Sequence, residues 1–223
     1  MSHHHAHGSA NRGRVVLQTA APLFVCEPAG EPVAGVIVLH DVWGITPPVE
    51  SRMRALSGRG WLTVAPYLFY RSGGPDFTAQ DRARAEAAMS EPSTEDLAAD
   101  FDAALDYLVE KRGVLAETIA VVGFGTGGYL AAWAAGRHRL AAGVSIGGAI
   151  SGNRFWPSTG TLPDLVSTTL GPWMSAPETD STGAEPREAA AAQWGAAIGF
   201  LKDRLPDGEG TAASANGSVS PRS

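Results

Sequence analysis

A glycine-rich turn between an apolar strand and an alanine-rich helix limits the folds open to this chain more than any other segment. Residues 118–122 form a pattern typical of a buried strand, residues 123–128 read Gly-Phe-Gly-Thr-Gly-Gly, and residues 129–136 predict a helix. A strand that passes through a tight turn into a helix is a building unit of parallel α/β sheets. We therefore expect an α/β domain built around this unit.

The rest of the chain alternates between strand and helix patterns. Two short strands at the N-terminal side predict a hairpin edge. Four further runs predict strands, and the run at residues 35–40 is typical of a strand covered on both faces. The predicted strands cover residues 14–18, 23–26, 35–40, 61–66, 141–146 and 172–176. The predicted helices cover residues 48–58, 79–89, 93–111, 162–170 and 185–205. Such alternation indicates a mostly parallel sheet with helices on both faces.

The predicted helix over residues 93–111 has the clearest start signal. Ser93 can cap it, with Asp96 completing a capping box, and its apolar stripe includes Leu97 and Phe101. The acids of this helix are interpreted as one solvated face: Glu95, Asp96, Asp100, Asp102 and Asp106.

Composition indicates one domain over residues 14–205, between a disordered leader or tag (1–13) and a disordered tail (206–223). The net charge of -6 argues against nucleic-acid or anionic-membrane partners, and no apolar run is long enough to span a membrane. The single cysteine, Cys26, fits a reducing compartment, so we expect a cytoplasmic protein. Cys26 itself is interpreted as a small hydrophobic residue.

The turn at residues 123–128 has the setting of a nucleophile elbow. In that motif a Ser or Cys is held on a strained turn between strand and helix, exposed at the edge of the sheet. Gly125 occupies the corresponding position here. Glycine has no side-chain atom that could attack a carbonyl carbon, so covalent catalysis from this position is excluded.

Four segments together resemble the dienelactone hydrolase family of the α/β-hydrolase fold: residues 35–45, 59–71, 119–128 and the helix end at 200–202. The similarity spans residues 23–205. It implies a reduced α/β-hydrolase fold and, by family, hydrolysis of small esters or lactones through a Cys or Ser nucleophile, an Asp and a His.

The resemblance assigns catalytic positions in this sequence, but leaves the triad incomplete. Gly125 fills the nucleophile position, and Asp180 matches the acid. No histidine follows His138, because the segment that would carry the catalytic His is absent before the last helix. The general base therefore has no candidate at its expected place.

The resemblance also implies supporting roles. Asp41 matches an acid that helps control the nucleophile, and Arg71 matches a basic residue that contacts a substrate carboxylate. The backbone N–H groups of Val42 and Thr126 are expected to form an oxyanion hole, since those donors do not depend on side chains.

Several motifs have alternative interpretations. Residues 123–128 also match the dinucleotide fingerprint, but the window 143–151 lacks the acid that would bind a ribose. Ser145 lies in a literal Gly-x-Ser-x-Gly match yet is interpreted as a strand serine. His40 is interpreted as a loop-positioning residue and His138 as a helix-end residue, and a substitute nucleophile at Thr126 is the weaker alternative.

The sequence thus predicts a dienelactone-hydrolase-like pseudoenzyme with lost or reduced activity. A non-enzymatic small-molecule or partner-binding protein is the alternative, and a nucleotide-binding module at the glycine-rich turn is a third hypothesis. We expect an ester, lactone or carboxylate as ligand, no metal or cofactor, no nucleic-acid or membrane partner, and a monomer or homodimer.

Overall fold

The computed structural model describes residues 13–18, 20–68, 70–72, 77, 79–148, 171–176 and 185–208. Within them, seven strands form one sheet in the order β1-β2-β4-β3-β5-β6-β7. The strands are β1 Arg14–Val16, β2 Leu23–Cys26, β3 Ala34–Leu39, β4 Trp61–Pro66, β5 Ile119–Phe124, β6 Ala142–Ile146 and β7 Trp173–Ala176.

The strand directions confirm the predicted mixture of a hairpin edge and a parallel sheet. β1 pairs antiparallel with β2, and β2 pairs antiparallel with β4. Every other neighbouring pair is parallel. The predicted α/β architecture with a mostly parallel sheet is therefore present.

Helices follow most of the parallel strands, as the sequence predicts. The α-helices are α1 Pro47–Ser57, α2 Arg82–Ser90, α3 Thr94–Asp106, α4 Thr126–Ala135 and α5 Glu185–Lys202. A turn of π-helix at Tyr107–Lys111 continues α3, and short 3₁₀ turns lie at Tyr70–Ser72, Ala79–Asp81 and Ala116–Thr118. Within the described residues, no helix combines the length and apolar character needed to cross a membrane.

Side chains that alternate along the central strands build one core on each face of the sheet. On β3, Ile37 and Leu39 belong to the core under α3 and α4, whereas Val36 and Val38 belong to the core under α1 and α5. All four are at most 3 % exposed. The continuous apolar run of this strand is thus explained by burial on both faces.

Two local sequence predictions hold in the structure. Ser93 caps α3 through a complete capping box, with its hydroxyl accepting from the Asp96 N–H and the Asp96 carboxylate accepting from the Ser93 N–H. Cys26 is buried in β2, and burial raises the pKa of its thiol to about 11. Cys26 is therefore a small core residue, as expected.

Two other predictions were wrong in detail. Helix α4 begins at Thr126 rather than at residue 129, because two glycines of the turn belong to its first turn. Asp100 does not lie on a solvated face, since its carboxylate is fully buried and binds Arg71. A charged partner from another segment accounts for that burial.

The first residues after α5 contact the body of the domain. The Trp61 indole N–H donates to the Pro206 carbonyl at 2.6 Å, and the Gly208 N–H donates to the Arg59 carbonyl at 2.9 Å. These contacts lie within the segment predicted as a tail from residue 206. Residues 209–223, and the predicted helix at 162–170, lie outside the described residues.

Candidate active site

The turn between β5 and α4 has a backbone conformation that favours glycine. Gly125 has φ 51° and ψ -122°, a combination that costs a residue with a side chain on the order of 1–3 kcal/mol. Its N–H donates to the Ile146 carbonyl at 2.7 Å, and its carbonyl accepts from the Gly128 N–H at 2.9 Å. Gly125 therefore sits at the crest of a sharp, hydrogen-bonded bend that carries no side chain.

Close backbone contacts explain two neighbouring glycines. A Cβ atom on Gly127 would lie 2.1 Å from the Leu39 carbonyl oxygen and 2.5 Å from that of His40. A Cβ atom on Gly123 would lie 2.0 Å from the Gly127 carbonyl oxygen. All three distances are far inside van der Waals contact, so the start of α4 packs directly against the ends of β3 and β5. Packing alone therefore accounts for these two glycines.

The loop after β3 brings Asp41 and Val42 to the same end of the sheet as this bend. β3 and β5 are adjacent, with Leu39 opposite Gly123, so the segments that follow them are neighbours. Asp41 shapes the loop: its Oδ1 accepts from the Trp43 N–H at 2.8 Å, and its carbonyl accepts from the Gly44 N–H at 3.2 Å. The expected control of a nucleophile by Asp41 stays a prediction.

The two amides expected to form an oxyanion hole follow these adjacent strand ends. Thr126 is the first residue of α4 and is buried, and N–H groups in the first turn of a helix have no intrahelical acceptor. Val42 is partly buried in the loop after β3. Their positions are compatible with a shared oxyanion, and this role stays a prediction.

His40 is a buried structural residue, in agreement with the sequence interpretation. Its Nδ1 lies 2.8 Å from the Asp41 carbonyl oxygen and so donates to it, which leaves Nε2 to accept from the Leu68 N–H at 3.2 Å. Complete burial lowers the pKa of the imidazole to about 4. Both ring nitrogens are engaged, so His40 is not available as a general base.

The burial of neutral His40 predicts a loss of stability in acid. Its folded pKa of about 4 lies below the unfolded value of about 6.5, so only the unfolded chain takes up the proton between these pH values. We expect the free energy of unfolding to fall by about 3 kcal/mol from pH 6.5 to pH 4 through this group. Urea denaturation over that range should show a shallower pH dependence for His40→Asn than for the wild type, and parallel curves would contradict the assignment.

His138 lies away from the bend. It follows the C-terminal end of α4, and ten residues of helix separate it from Gly125, a length of about 15 Å. Its Nε2 is 2.9 Å from Asp102 Oδ1, and its ring centroid is 5.1 Å from that of Phe101. Neither histidine of the described residues is therefore placed to serve Gly125.

Arg71 is bound by carboxylates of the protein itself. Its guanidinium donates to both oxygens of Asp100, at 2.7 and 3.1 Å, and lies 3.4 Å from Asp96. The hydrogen bond to Asp100 raises the pKa of Arg71. Asp100 also accepts from the Ala21 N–H at 3.0 Å. A substrate carboxylate would have to compete with this network, and the expected role of Arg71 in substrate binding stays a prediction.

Arg52 is a cation near the bend that the sequence reasoning missed. It lies on α1, with its guanidinium carbon 4.5 Å from the ring centroid of Phe124 and 5.7 Å from that of Trp194. Burial lowers the pKa of Arg52, and the charge of Asp41 partly opposes this. A signal was present in the sequence: the buried stripe of α1 has helical spacing, and position 52 carries its only charge, among Val49, Met53 and Leu56.

Three further sequence predictions concern Ser145, Asp180 and metal binding. Ser145 lies buried in β6, which confirms the strand interpretation. Asp180, the predicted acid, lies outside the described residues. In the described part of the chain, no group of three potential ligands could hold a metal ion.

The chain is similar to known α/β hydrolases. A sequence model described as the dienelactone hydrolase family matches residues 22–168, and no curated protein matches. The solved structures that share this fold include a dienelactone hydrolase from Anabaena variabilis (18% identity, 87% of this chain and 97% of that chain, TM-score 0.57). A dienelactone hydrolase-like promiscuous phosphotriesterase from metagenomic libraries matches equally widely (17% identity, 87% and 98%, TM-score 0.60). An acylaminoacyl peptidase from Pyrococcus horikoshii matches over 42% of its own length (13% identity, 87% of this chain, TM-score 0.61).

Proposed function

Because the chain belongs to the dienelactone hydrolase family, we propose that it is a hydrolase relative whose acyl-enzyme chemistry is lost or strongly reduced. The single observation that carries the proposal is Gly125 at the crest of the bend, where covalent catalysis needs a thiol or hydroxyl. The family supports a hydrolase of small esters or lactones as the ancestral activity.

The histidines support the same proposal. Of those described, His40 is neutral with both nitrogens bonded, and His138 lies beside Asp102 at the far end of α4. A general base contributes about 10²–10⁴-fold to such reactions. Restoring a nucleophile alone therefore leaves the reaction without the group that removes its proton.

Esterase assays on Gly125 variants test this proposal. With p-nitrophenyl acetate, we expect no burst of p-nitrophenol from the wild type, and less than about a tenfold gain in rate for Gly125→Ser and Gly125→Cys. Gly125→Ala is the matched control, because it introduces the same backbone strain without a nucleophile. A stoichiometric burst from the wild type, with an acetyl group found on the protein by mass spectrometry, would contradict the proposal.

We propose a small ester, lactone or carboxylate as the ligand of this site, and a cytoplasmic location on the ground of the lone Cys26. A monomer or homodimer is proposed as the assembly, which light scattering on the purified chain would test. A binding role without turnover is the second candidate function, and the observation that favours it is the guanidinium of Arg52, which has no hydrogen-bond acceptor among the described residues.

A further inference from the structure

Arg52 differs from Arg71 and Arg112, two other half-buried arginines, because its guanidinium has no hydrogen-bond acceptor among the described residues. Arg71 binds Asp100 through two hydrogen bonds, and Arg112 binds Glu27 in the same way. No described residue accepts a hydrogen bond from Arg52 or forms an ion pair with it. A guanidinium has five N–H donors in a fixed plane, so one without an acceptor from the protein keeps these donors for water or a ligand.

Two aromatic rings contact this guanidinium, whereas its N–H groups have no acceptor from the described residues. Phe124 and Trp194 both lie within cation–π distance of its central carbon, at 4.5 and 5.7 Å. Aromatic contacts of this kind attract the cation without using its N–H donors. The donors at the edge of the plane stay available for a planar, two-oxygen acceptor such as a carboxylate.

The position of Arg52 links it to the bend. Phe124 directly precedes Gly125, and Asp41, whose charge acts on Arg52, lies in the loop that packs beside the start of α4. The contacts thus place a cation next to the strand end where the family performs its chemistry. The aromatic surroundings favour an organic acid with an apolar body over a strongly hydrated inorganic anion.

We propose that Arg52 is the anion-binding residue of a site for small monocarboxylic acids that carry an apolar body, beside the Gly125 bend. This inference rests on the proposed function, since it assigns a ligand class to the site that lacks a nucleophile. Arg52 fills this role rather than Arg71, whose guanidinium is already bound on two sides by Asp100 and Asp96.

Calorimetric titration with sodium benzoate tests the proposal directly. We expect saturable binding to the wild type and at least a tenfold loss of affinity in Arg52→Gln. Arg54→Gln is the matched control: Arg54 is on the same helix, is exposed and pairs with Glu50, so benzoate affinity should stay within twofold of the wild type. Benzamide, which has the same body without the charge, should bind at least tenfold more weakly.

Two further measurements, a titration with inorganic phosphate and the Arg52→Lys variant, test the ligand class and the role of the guanidinium. Inorganic phosphate distinguishes an anion site of any kind from a carboxylate site, and phosphate affinity equal to that of benzoate would overturn the stated ligand class. Arg52→Lys keeps the charge but loses the planar fork, so it should fold even if Arg52→Gln does not, and it should weaken benzoate binding at least threefold. No binding by the wild type, or equal binding by the wild type and both Arg52 variants, would overturn the proposal. Neither result bears on the esterase assay, whose burst tests the proposed loss of chemistry separately.

Discussion

Replacing Gly127 by alanine is expected to cost the protein a large part of its stability. The added Cβ would lie 2.1 and 2.5 Å from the carbonyl oxygens of Leu39 and His40, which belong to the end of a central strand. Neither backbone oxygen can rotate away as a side chain could, so α4 has to move off the sheet. Overpacking of this kind belongs to the rare substitutions that cost about 4 kcal/mol or more, which is a large part of the stability of a typical domain.

Urea denaturation followed by circular dichroism measures this effect, and the chain offers a matched control. Gly195 is an exposed residue in α5 whose added Cβ would meet no atom within 4 Å. Gly195→Ala should therefore stabilise the protein by about 0.5–1 kcal/mol, because alanine is the better helix former. A Gly127→Ala variant with a wild-type urea midpoint would show that α4 does not press against β3 as described.

Replacing Asp100 by alanine is the second substitution with a large expected cost. Its carboxylate is fully buried, accepts one hydrogen bond from each terminal nitrogen of the Arg71 guanidinium, and also accepts from the Ala21 N–H. Removing it takes both hydrogen bonds from the Arg71 guanidinium, which keeps only Asp96 at 3.4 Å, and leaves the buried Ala21 N–H without its acceptor. We expect a loss of about 3–5 kcal/mol in the free energy of unfolding, the range typical of breaking a buried ion pair from one side.

A control and a double variant separate this cost from a general effect on α3. Asp106 lies on the same helix and is exposed, so Asp106→Ala should change stability by less than about 0.5 kcal/mol. Arg71→Leu combined with Asp100→Leu should recover part of the loss, since no buried charge is left unpaired. Equal stabilities of Asp100→Ala and Asp106→Ala would contradict the network.

The order of strands and helices could be predicted from the sequence, because apolar runs and helical periodicity depend only on residues close together in the chain. The run at residues 35–40 is apolar on both faces of β3, and the start of α3 has a capping box in which Ser93 and Asp96 satisfy each other's groups. The absence of a nucleophilic side chain at Gly125 could also be predicted, because the strand before this residue and the helix after it fix its place in the turn. Each of these depends on neighbours a few residues away.

Contacts between distant segments were not readable in the same way. Asp100 has the same kind of sequence neighbours as the exposed acids of α3. Its hydrogen bonds from Arg71 and the Ala21 N–H, which come from other parts of the chain, are what distinguish it. The helical spacing of α1 places Arg52 beside the buried residues of that helix, but it does not show which segments the guanidinium contacts. Its stacking on Phe124 and Trp194 depends on how α1, β5 and α5 come together.

The early start of α4 shows tertiary packing overriding local preference. Glycine is among the poorest helix formers, so the sequence predicts that the helix begins after Gly128. The structure begins it at Thr126, because absence of side chains at Gly127 and Gly128 allows the first turn to lie against the ends of β3 and β6. The conformational entropy lost by these glycines is offset by the close packing of the helix against the strand ends.

The backbone of Gly125 has a consequence for how such a chain can evolve. The bend keeps a conformation that burdens every residue with a side chain, and glycine alone occupies it without strain. A mutation back to serine or cysteine would therefore lower stability at once, while any gain in turnover would wait for a proton acceptor to arise elsewhere. A return to catalysis would thus need at least two changes, the first of which lowers stability without a gain in turnover.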